Sequence, residues 1–167
     1  MFKIRVGERE DCIAIEALIK ELAAYEKMPN GPKIDHKVLA EDGFGDQRLF
    51  WTFVAELQET KEIIGYSLFF WKYSTWNGRC LWMEDLYVKP EYRGHGIGRQ
   101  LFIEVMRFAE RHSCHRVEWN CLDWNQNSIS FYKKFGAIDL TEKEGWHTFR
   151  LERQQINKLS KESDNSL

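Results

Sequence analysis

The sequence predicts a mixed α/β (α+β) fold, in which one mixed β-sheet carries helices on both of its faces. Three observations support this prediction. The chain has 167 residues, a length that suits a single domain with its own core. Apolar segments with strand-like or helix-like spacing follow one another in the order β-α-α-β-β-β-α-β-α-β-β. No internal repeat and no domain linker interrupts this order.

The first part of the chain is predicted to form one strand and two helices. Residues 4–6 are a short β-branched strand, and Asp11 is placed to cap a helix whose apolar residues recur at helical spacing. The proline- and glycine-containing segment 29–32 breaks the chain. A second helix over residues 35–42 is expected to end at Gly43.

The middle of the chain is predicted to form three antiparallel strands and the longest helix. Residues 50–57 and 62–71 are aromatic and β-branched runs separated by a polar turn, which indicates a hairpin. Residues 80–88 form the next strand. The loop 93–98 then leads into an amphipathic helix that extends to about Arg111.

The last part of the chain is predicted to hold a strand at 117–122 and a helix that ends near Gly136, with Asn127 or Ser128 as its cap. Two short strands are expected at 137–140 and 146–151. The folded domain is expected to cover residues 3–152, and the polar residues 153–167 are expected to be a frayed tail.

Composition excludes several classes of protein. A formal net charge of −2 argues against a basic nucleic-acid-binding surface. No apolar run reaches the ~18 residues of a membrane span, and the first residues lack the pattern of a signal peptide. The four cysteines have no C-x-x-C spacing, so we expect reduced thiols and no metal site. A cytoplasmic or nuclear protein is indicated, and we take the cytoplasm as the prediction.

A glycine-rich loop is the strongest chemical signal in the sequence. Gly94, Gly96 and Gly98 lie between a predicted strand and a predicted helix. Glycines let backbone N–H groups converge, and the helix that follows adds its positive dipole end, so the junction suits a pyrophosphate. The spacing fits neither the P-loop, which needs a following Lys-Ser or Lys-Thr pair, nor the Rossmann pattern.

This loop, with its R-x-x-G-x-G spacing, resembles that of the GNAT superfamily of N-acetyltransferases, and six further blocks resemble its spermidine/spermine acetyltransferase family. The similarity covers about residues 3–150. The seven blocks, in chain order, are 24–26, 41–45, 83–88, 92–98, 124–125, 131–132 and 144–146. Residues 73–76 and 122–126 are most similar to the thialysine acetyltransferase branch. The resemblance implies the GNAT acyl-CoA N-acyltransferase fold, acetyl-CoA as co-substrate, a small-molecule amine as acceptor and a homodimer.

The resemblance also implies a set of residues that bind acetyl-CoA. They come from the strand before the glycine loop, from the loop itself and from the cap of the helix after residue 122. These are Leu86, Tyr87, Val88, Arg93, Gly94, His95, Gly96, Ile97, Gly98, Arg99, Asn125, Gln126, Asn127, Ser128 and Tyr132.

Two of the matching residues are candidates for the acid and the base of acetyl transfer. Glu84 is the candidate proton acceptor, and strand alternation would place Glu84 and Asp85 on opposite faces of the sheet. An ordinary glutamate, with a pKa near ~4.3, is a poor direct base for an ammonium, so a water relay or a buried carboxylate is expected. Tyr132 is the candidate acid that stabilises the leaving thiolate. Without the resemblance, two structural roles remain open. Glu84 would equally suit a surface ion pair, and Tyr132 would suit the packed face of a helix.

The resemblance implies that carboxylates and aromatic rings line the amine cleft, which suits a cation. The candidate substrate-binding residues are Tyr25, Glu26, Ser74, Trp76, Glu84, Glu118, Trp119, Asn120, Glu144 and Trp146. The main rival substrates are polyamines, whose acetyltransferases in this family carry an aspartate at the position of Ser74. The alternative from another class is an acetyl-CoA-binding module without catalysis, against which the presence of both Glu84 and Tyr132 speaks.

Overall fold

A computed structural model describes residues 1–161, which form two compact units, Met1–Leu122 and a second unit that begins at Asp123. The elements of the first unit are β1 (Phe2–Val6), a 3₁₀ turn (Arg9–Asp11), α1 (Cys12–Tyr25), α2 (His36–Phe44), β2 (Trp51–Leu57), β3 (Ile63–Ser74), β4 (Gly78–Val88), a second 3₁₀ turn (Pro90–Tyr92), α3 (Ile97–Arg111) and β5 (Val117–Glu118). The strands form one sheet in the order β1-β2-β3-β4-β5. The first three pairings are antiparallel, and β4 pairs with β5 in parallel.

Helices cover both faces of this sheet, as the sequence predicts. Tyr66 and Leu68 of β3 belong to a buried cluster with Ile15 of α1 and Leu39 of α2. On the opposite face, Phe69 packs against Phe108 of α3, with ring centroids 4.9 Å apart. Successive residues of a strand point to opposite faces, so the side chains of β3 divide the core into an α1/α2 side and an α3 side.

A buried charge network fixes the outer edge of the sheet. Arg5 of β1 donates two hydrogen bonds to the carboxylate of Asp11, at 2.6 and 2.8 Å, and a third to Glu56 of β2 at 2.7 Å. Asp11 and Glu56 are 7% and 6% exposed, and Arg5 is the cation that the two carboxylates share, while Lys3 also pairs with Glu56 at 3.1 Å. The network also changes the predicted role of Asp11. Its carboxylate accepts from the Glu8 N–H and makes no side-chain cap for α1.

The local signals for α2 and the middle strands are confirmed, except that α2 does not end at Gly43 but continues to Phe44, with Gly45 as its C-cap. Asp35 caps α2 by accepting hydrogen bonds from the backbone N–H groups of Lys37 and Val38. The β2–β3 hairpin and β4 lie where the sequence places them. Strand β5 is shorter than predicted, with two residues instead of the range 117–122.

The second unit contains α4 (Gln126–Lys133), α5 (Leu140–Glu144) and α6 (Arg153–Leu159). Asn125 caps α4 by accepting from the Ser128 N–H, so the predicted caps Asn127 and Ser128 lie inside the first turn. The predicted strands at 137–140 and 146–151 are wrong. Asp139 accepts from two backbone N–H groups and begins α5, and Gly145, with φ of 72°, ends it.

Residues 153–159 form α6 where a frayed tail was expected, and residues 162–167 of that predicted tail lie outside the described residues. None of the helices described in residues 1–161 has the length and apolar character that a membrane crossing needs.

Replacing Arg5 by methionine is expected to lower the free energy of unfolding by about 3 kcal/mol, because it leaves two buried carboxylates without their common partner. The measurement is urea unfolding of both proteins at one pH. Arg107→Met is the matched control, since it removes an arginine from an exposed ion pair with Glu104, a loss of at most about 1 kcal/mol. Equal losses in the two variants would contradict the assigned role of Arg5.

Candidate active site

A β-bulge in β4 places the central carboxylates of the candidate site. Leu68 pairs with Asp85, and the next residue of β3, Phe69, pairs with Met83. Glu84 is therefore the extra residue of β4, without a partner in the register of β3. A bulge locally disrupts the ladder, bends the strand and redirects side chains. Glu84 is exposed at this point.

The bulge puts Glu84 and Asp85 on the same face of the sheet, which corrects the expectation that they face opposite sides. Asp85 accepts a hydrogen bond of 2.7 Å from the hydroxyl of Tyr66, a member of the α1/α2 core. Trp82 pairs with Phe70, which packs against that same core. The indole N–H of Trp82 donates to Oε2 of Glu84 at 2.7 Å. Both carboxylates thus lie on the α1/α2 side.

A third carboxylate joins this pair from the end of α1. Burial, with repulsion from Glu84 as a lesser cause, raises the pKa of Glu26. Burial raises the pKa of Asp85 to about 6, against the opposing effect of the Tyr66 hydrogen bond, and repulsion from Glu84 and Glu26 adds to the rise. We call Glu26, Glu84 and Asp85 the acidic cluster. Mutual repulsion makes such a cluster a site that a cation stabilises.

The glycine loop follows β4 and has the geometry of an anion site. Gly94 and Gly96 have φ values of 82° and 80°, in the left-handed region that favours glycine. Gly96 is also the N-cap of α3, so the positive end of that helix lies at the loop. A Cβ atom at either position would meet no atom within 4 Å, so backbone conformation and not crowding requires glycine there. The space beside the backbone at both glycines is therefore open.

Arg93, at the start of the glycine loop, contacts the end of β4 and the end of α1. Its Nε donates to the carbonyl oxygen of Val88 at 2.8 Å, and its guanidinium lies 5.1 Å from the ring centroid of Tyr25 and 5.4 Å from that of Tyr87. The predicted cofactor residue Arg93 and the predicted cleft residue Tyr25 are therefore in contact. His95 is exposed, with Nδ1 3.3 Å from the carbonyl oxygen of Tyr92.

The backbone of β4 is open beside the loop. Strand β5 pairs with β4 only at Leu81 and Trp82. Within the described part of the chain, residues 83–88 have no partner strand on that side. The predicted cofactor residues Leu86, Tyr87 and Val88 lie along this stretch, which can offer backbone hydrogen bonds to a ligand.

Other predicted cleft residues of the first unit have contacts of their own. Ser74 is 7% exposed, and its hydroxyl oxygen accepts from the N–H groups of Trp76 and Asn77 at 3.2 Å, so it stabilises the turn between β3 and β4. Trp76 is 81% exposed in that turn. Glu118 forms an ion pair with Lys72 at 2.8 Å. Trp119 packs against Phe102 of α3, and Asn120 is exposed.

The second unit holds the remaining predicted site residues. Asn125 caps α4, and Gln126 donates from its side chain to the Asp123 carbonyl at 2.6 Å. Asn127 and Ser128 lie in the first turn of α4, and Tyr132 lies in its last turn, with its ring centroid 5.2 Å from that of Phe131. The indole of Trp146 donates to Glu144 at 2.7 Å, so these two residues form one pair.

Sequence reasoning missed Asp85, Tyr66 and Trp82 as parts of the site. Simple alternation points Asp85 away from Glu84, the carboxylate that the family resemblance selects. The W-x-E spacing of Trp82 and Glu84 is a signal that could have found their contact, because residues two apart on a strand share a face. Among residues 1–161, no group of three or more histidine, cysteine, aspartate or glutamate residues has a metal-binding arrangement.

The raised pKa of Asp85 predicts a pH-dependent stability. The folded chain releases this proton near pH 6, and the unfolded chain releases it near the ordinary value of 3.8. The folded state therefore holds more protons between these values, and the Asp85 contribution to stability falls as the pH rises from about 4 to about 6. Urea unfolding across this range should show wild type losing stability relative to Asp85→Asn.

Tyr66→Phe is the companion variant. It keeps the Asp85 carboxyl but removes the hydrogen bond that favours its charged form, so the window of falling stability should move to higher pH. Parallel stability curves for wild type and Asp85→Asn would contradict the buried setting of this carboxyl.

The sequence model of the acetyltransferase (GNAT) family matches residues 15–137. The match crosses the boundary between the two units, so both belong to one family domain. A thialysine N-epsilon-acetyltransferase from Bos taurus is 42% identical over 163 residues, which are 94% of this chain and 96% of that protein. A human spermidine/spermine N(1)-acetyltransferase-like protein 1 is 37% identical over 160 residues, 93% of this chain but 23% of the relative.

Solved structures agree with the fold. An integron cassette protein from the mobile metagenome of V. cholerae superimposes with a TM-score of 0.76 at 23% identity, covering 96% of this chain and 98% of that one. An aminoglycoside acetyltransferase from an uncultured soil metagenomic sample gives a TM-score of 0.73 at 20% identity, with coverages of 91% and 97%. With the family match and the identity to curated acetyltransferases over nearly the whole chain, the protein is an N-acetyltransferase of the GNAT family.

Proposed function

We propose that the chain transfers the acetyl group of acetyl-CoA to the side-chain amine of thialysine, or of a related lysine-like amine, by direct attack. The observation that carries the proposal is the acidic cluster, in which Glu26 comes from the end of α1 and Glu84 and Asp85 come from β4, shortly before the glycine loop. The name of the Bos taurus relative supports the choice of thialysine.

The acidic cluster would offset the main energetic cost of the reaction, which is the deprotonation of the substrate ammonium. A lysine-like ammonium has a pKa near ~10.4, so only about one molecule in a thousand is neutral near pH 7.4, and supplying the neutral amine costs roughly 4 kcal/mol. Neighbouring carboxylates hold the cation, and Glu84 then accepts its proton. Glu84 is exposed, so water can reach it, which suits a proton relay through water.

The glycine loop and the open stretch of β4 are proposed to hold the co-substrate. Acetyl-CoA, when bound, supplies the activated acetyl group as a thioester. The backbone of Gly94 to Arg99 would hold its pyrophosphate, because left-handed glycines at the start of a helix can present backbone N–H groups to an anion. Residues 86–88 would hydrogen-bond the pantetheine arm, and the family resemblance implies the same role for the α4 cap, Asn125 to Ser128.

Tyr132 is proposed to stabilise the leaving thiolate. A phenol, with a pKa near ~10, is a weaker acid than a thiol near ~8.5, so full proton transfer is slightly uphill. A hydrogen bond to the developing charge is therefore the proposed role.

Three further features belong to the proposal. The acetyltransferase domain is taken to cover residues 3–152, with residues 153–167 as a polar extension. The family resemblance supports a homodimer. The composition supports action in the cytoplasm on small molecules, without nucleic-acid or membrane partners.

Polyamines are the second candidate substrates, because a cluster of three carboxylates also suits a chain with several ammonium groups, and one relative carries a spermidine/spermine name. The family resemblance puts position 74 in the amine cleft, and a serine there leaves one anion fewer than the aspartate typical of polyamine acetyltransferases, which favours thialysine. A substrate with its own carboxylate fits that difference.

Tyr132→Phe is expected to reduce kcat by about 10²-fold or more, because it removes the group that stabilises the thiolate. Acetyl-CoA should still bind, which calorimetry checks independently of turnover. Phe131→Leu is the control for packing, because the Phe131 ring contacts that of Tyr132 without carrying a hydroxyl. Wild-type turnover in Tyr132→Phe would leave the phenol only a packing role.

Thialysine is expected to have a higher kcat/KM than spermidine in wild type, because its sulfur lowers the amine pKa and leaves more of the neutral form. Ser74→Asp should narrow or reverse the ratio, since aspartate keeps the acceptor for the turn N–H groups and adds an anion. Saturation curves for both amines at one pH and ionic strength give the ratio. Ser74→Asn, which keeps the acceptor without the charge, should leave it unchanged.

Thialysine would be rejected as the substrate if wild type preferred spermidine, or if Ser74→Asp left the ratio of the two kcat/KM values unchanged. Neither result would contradict the acetyltransferase activity itself.

A further inference from the structure

We propose that Trp82 is a positioning residue for Glu84, and that Lys72 and Glu118 hold Trp82 in place. The three residues come from neighbouring strands, Lys72 from β3, Trp82 from β4 and Glu118 from β5. The inference rests on the proposed role of Glu84 as proton acceptor, and it assigns a function to contacts that the reaction itself does not require.

Glu84 needs an external constraint because of its place in the bulge. It has no partner residue in the register of β3, and its side chain is exposed. A glutamate in such a setting has several accessible rotamers. The indole N–H of Trp82, 2.7 Å from Oε2, selects one of them, and a hydrogen bond to a charged acceptor is stronger than one between neutral groups.

Trp82 is in turn held from two sides. The ammonium of Lys72 lies 4.9 Å from the Trp82 ring centroid, within the range of a cation–π contact. Nζ of Lys72 is 2.8 Å from Oε2 of Glu118, and Nε of Arg116 is 3.4 Å from the same oxygen. Glu118 is also the register partner of Trp82 across the parallel β4–β5 pairing.

These contacts give Glu118 a structural role, which is to position the ammonium of Lys72. Its side chain is 15% exposed, and two cations lie within ion-pair distance of one of its oxygens. The carboxylate fixes the ammonium of Lys72 over the indole ring, and the ring fixes the carboxylate of Glu84. The effect of Glu118 on the amine is then indirect, through Lys72 and Trp82.

The central experiment removes the indole donor and keeps an aromatic ring. Trp82→Phe should lower kcat/KM for the amine about threefold to tenfold, the range that corresponds to one hydrogen bond of ordinary net strength, and should leave KM for acetyl-CoA unchanged. In the Glu84→Gln background the same substitution should have less than a twofold effect, because residues that act through one contact are not additive.

Two further variants test how Trp82 is held. Lys72→Met removes the cation and should reproduce part of the Trp82→Phe loss, and Lys72→Arg, which keeps a cation over the ring, should restore wild-type kinetics. Trp51→Phe is the matched control. Trp51 lies in a different aromatic group, 5.4 Å from Trp71 and 5.9 Å from Phe108, and its replacement should leave the amine kinetics within twofold of wild type.

A readout without turnover separates this proposal from the proposed function. In ¹H–¹⁵N spectra the indole N–H signal of Trp82, assigned by its loss in Trp82→Phe, should move on Glu84→Gln, while the Trp51 indole signal should not. An unmoved Trp82 signal overturns the contact. An equal Trp82→Phe loss in both backgrounds overturns the positioning role alone, and absence of acetyl transfer to every amine overturns both proposals.

Discussion

The β-bulge at Glu84 is the constraint on which the rest of the site depends. One extra residue in β4 reverses the alternation of side chains, so that Glu84 and Asp85 share the α1/α2 side of the sheet. In an unbroken strand one of these two carboxylates would point into the apolar α3 side, where Phe69 and Met83 are fully buried. The bulge therefore allows an acidic pair to be built into a buried sheet without an uncompensated charge in the core.

Gathering like charges has an electrostatic cost, and the neighbouring residues show how it is offset. Tyr66 donates to Asp85 and Trp82 donates to Glu84, so each carboxylate of the bulge receives one hydrogen bond from its own face of the sheet. Burial, and to a lesser extent repulsion between the carboxylates, still raises the pKa of Glu26 and Asp85, and a bound ammonium would lower both pKa values. A site that is unfavourable when empty and favourable with a cation is suited to an amine substrate.

Strand pairing also decides where the backbone is available. Strand β5 leaves β4 after two residue pairs, so the segment that leads from the acidic cluster to the glycine loop has an open edge. The loop continues into α3 through Gly96 in the left-handed region, which places the positive helix end directly after that edge. Glu84, Asp85 and the glycine loop are therefore consecutive parts of one strand–loop–helix segment.

The sequence by itself determined the helices α1, α2 and α3, the first four strands and the glycine loop, because each has a strong local signal, such as the Asp35 cap or the run 50–57. It also supplied Glu26 and Glu84 as members of the acidic cluster. Only the tertiary structure decided the face on which Asp85 lies, because alternation assumes an uninterrupted register and the bulge is set by pairing with β3. The same holds for Trp82, Lys72 and Glu118, which come together across three strands. The strands predicted at 137–140 and 146–151 are wrong because short apolar stretches resemble strands, and the Asp139 cap and Gly145 delimit a short helix at 140–144.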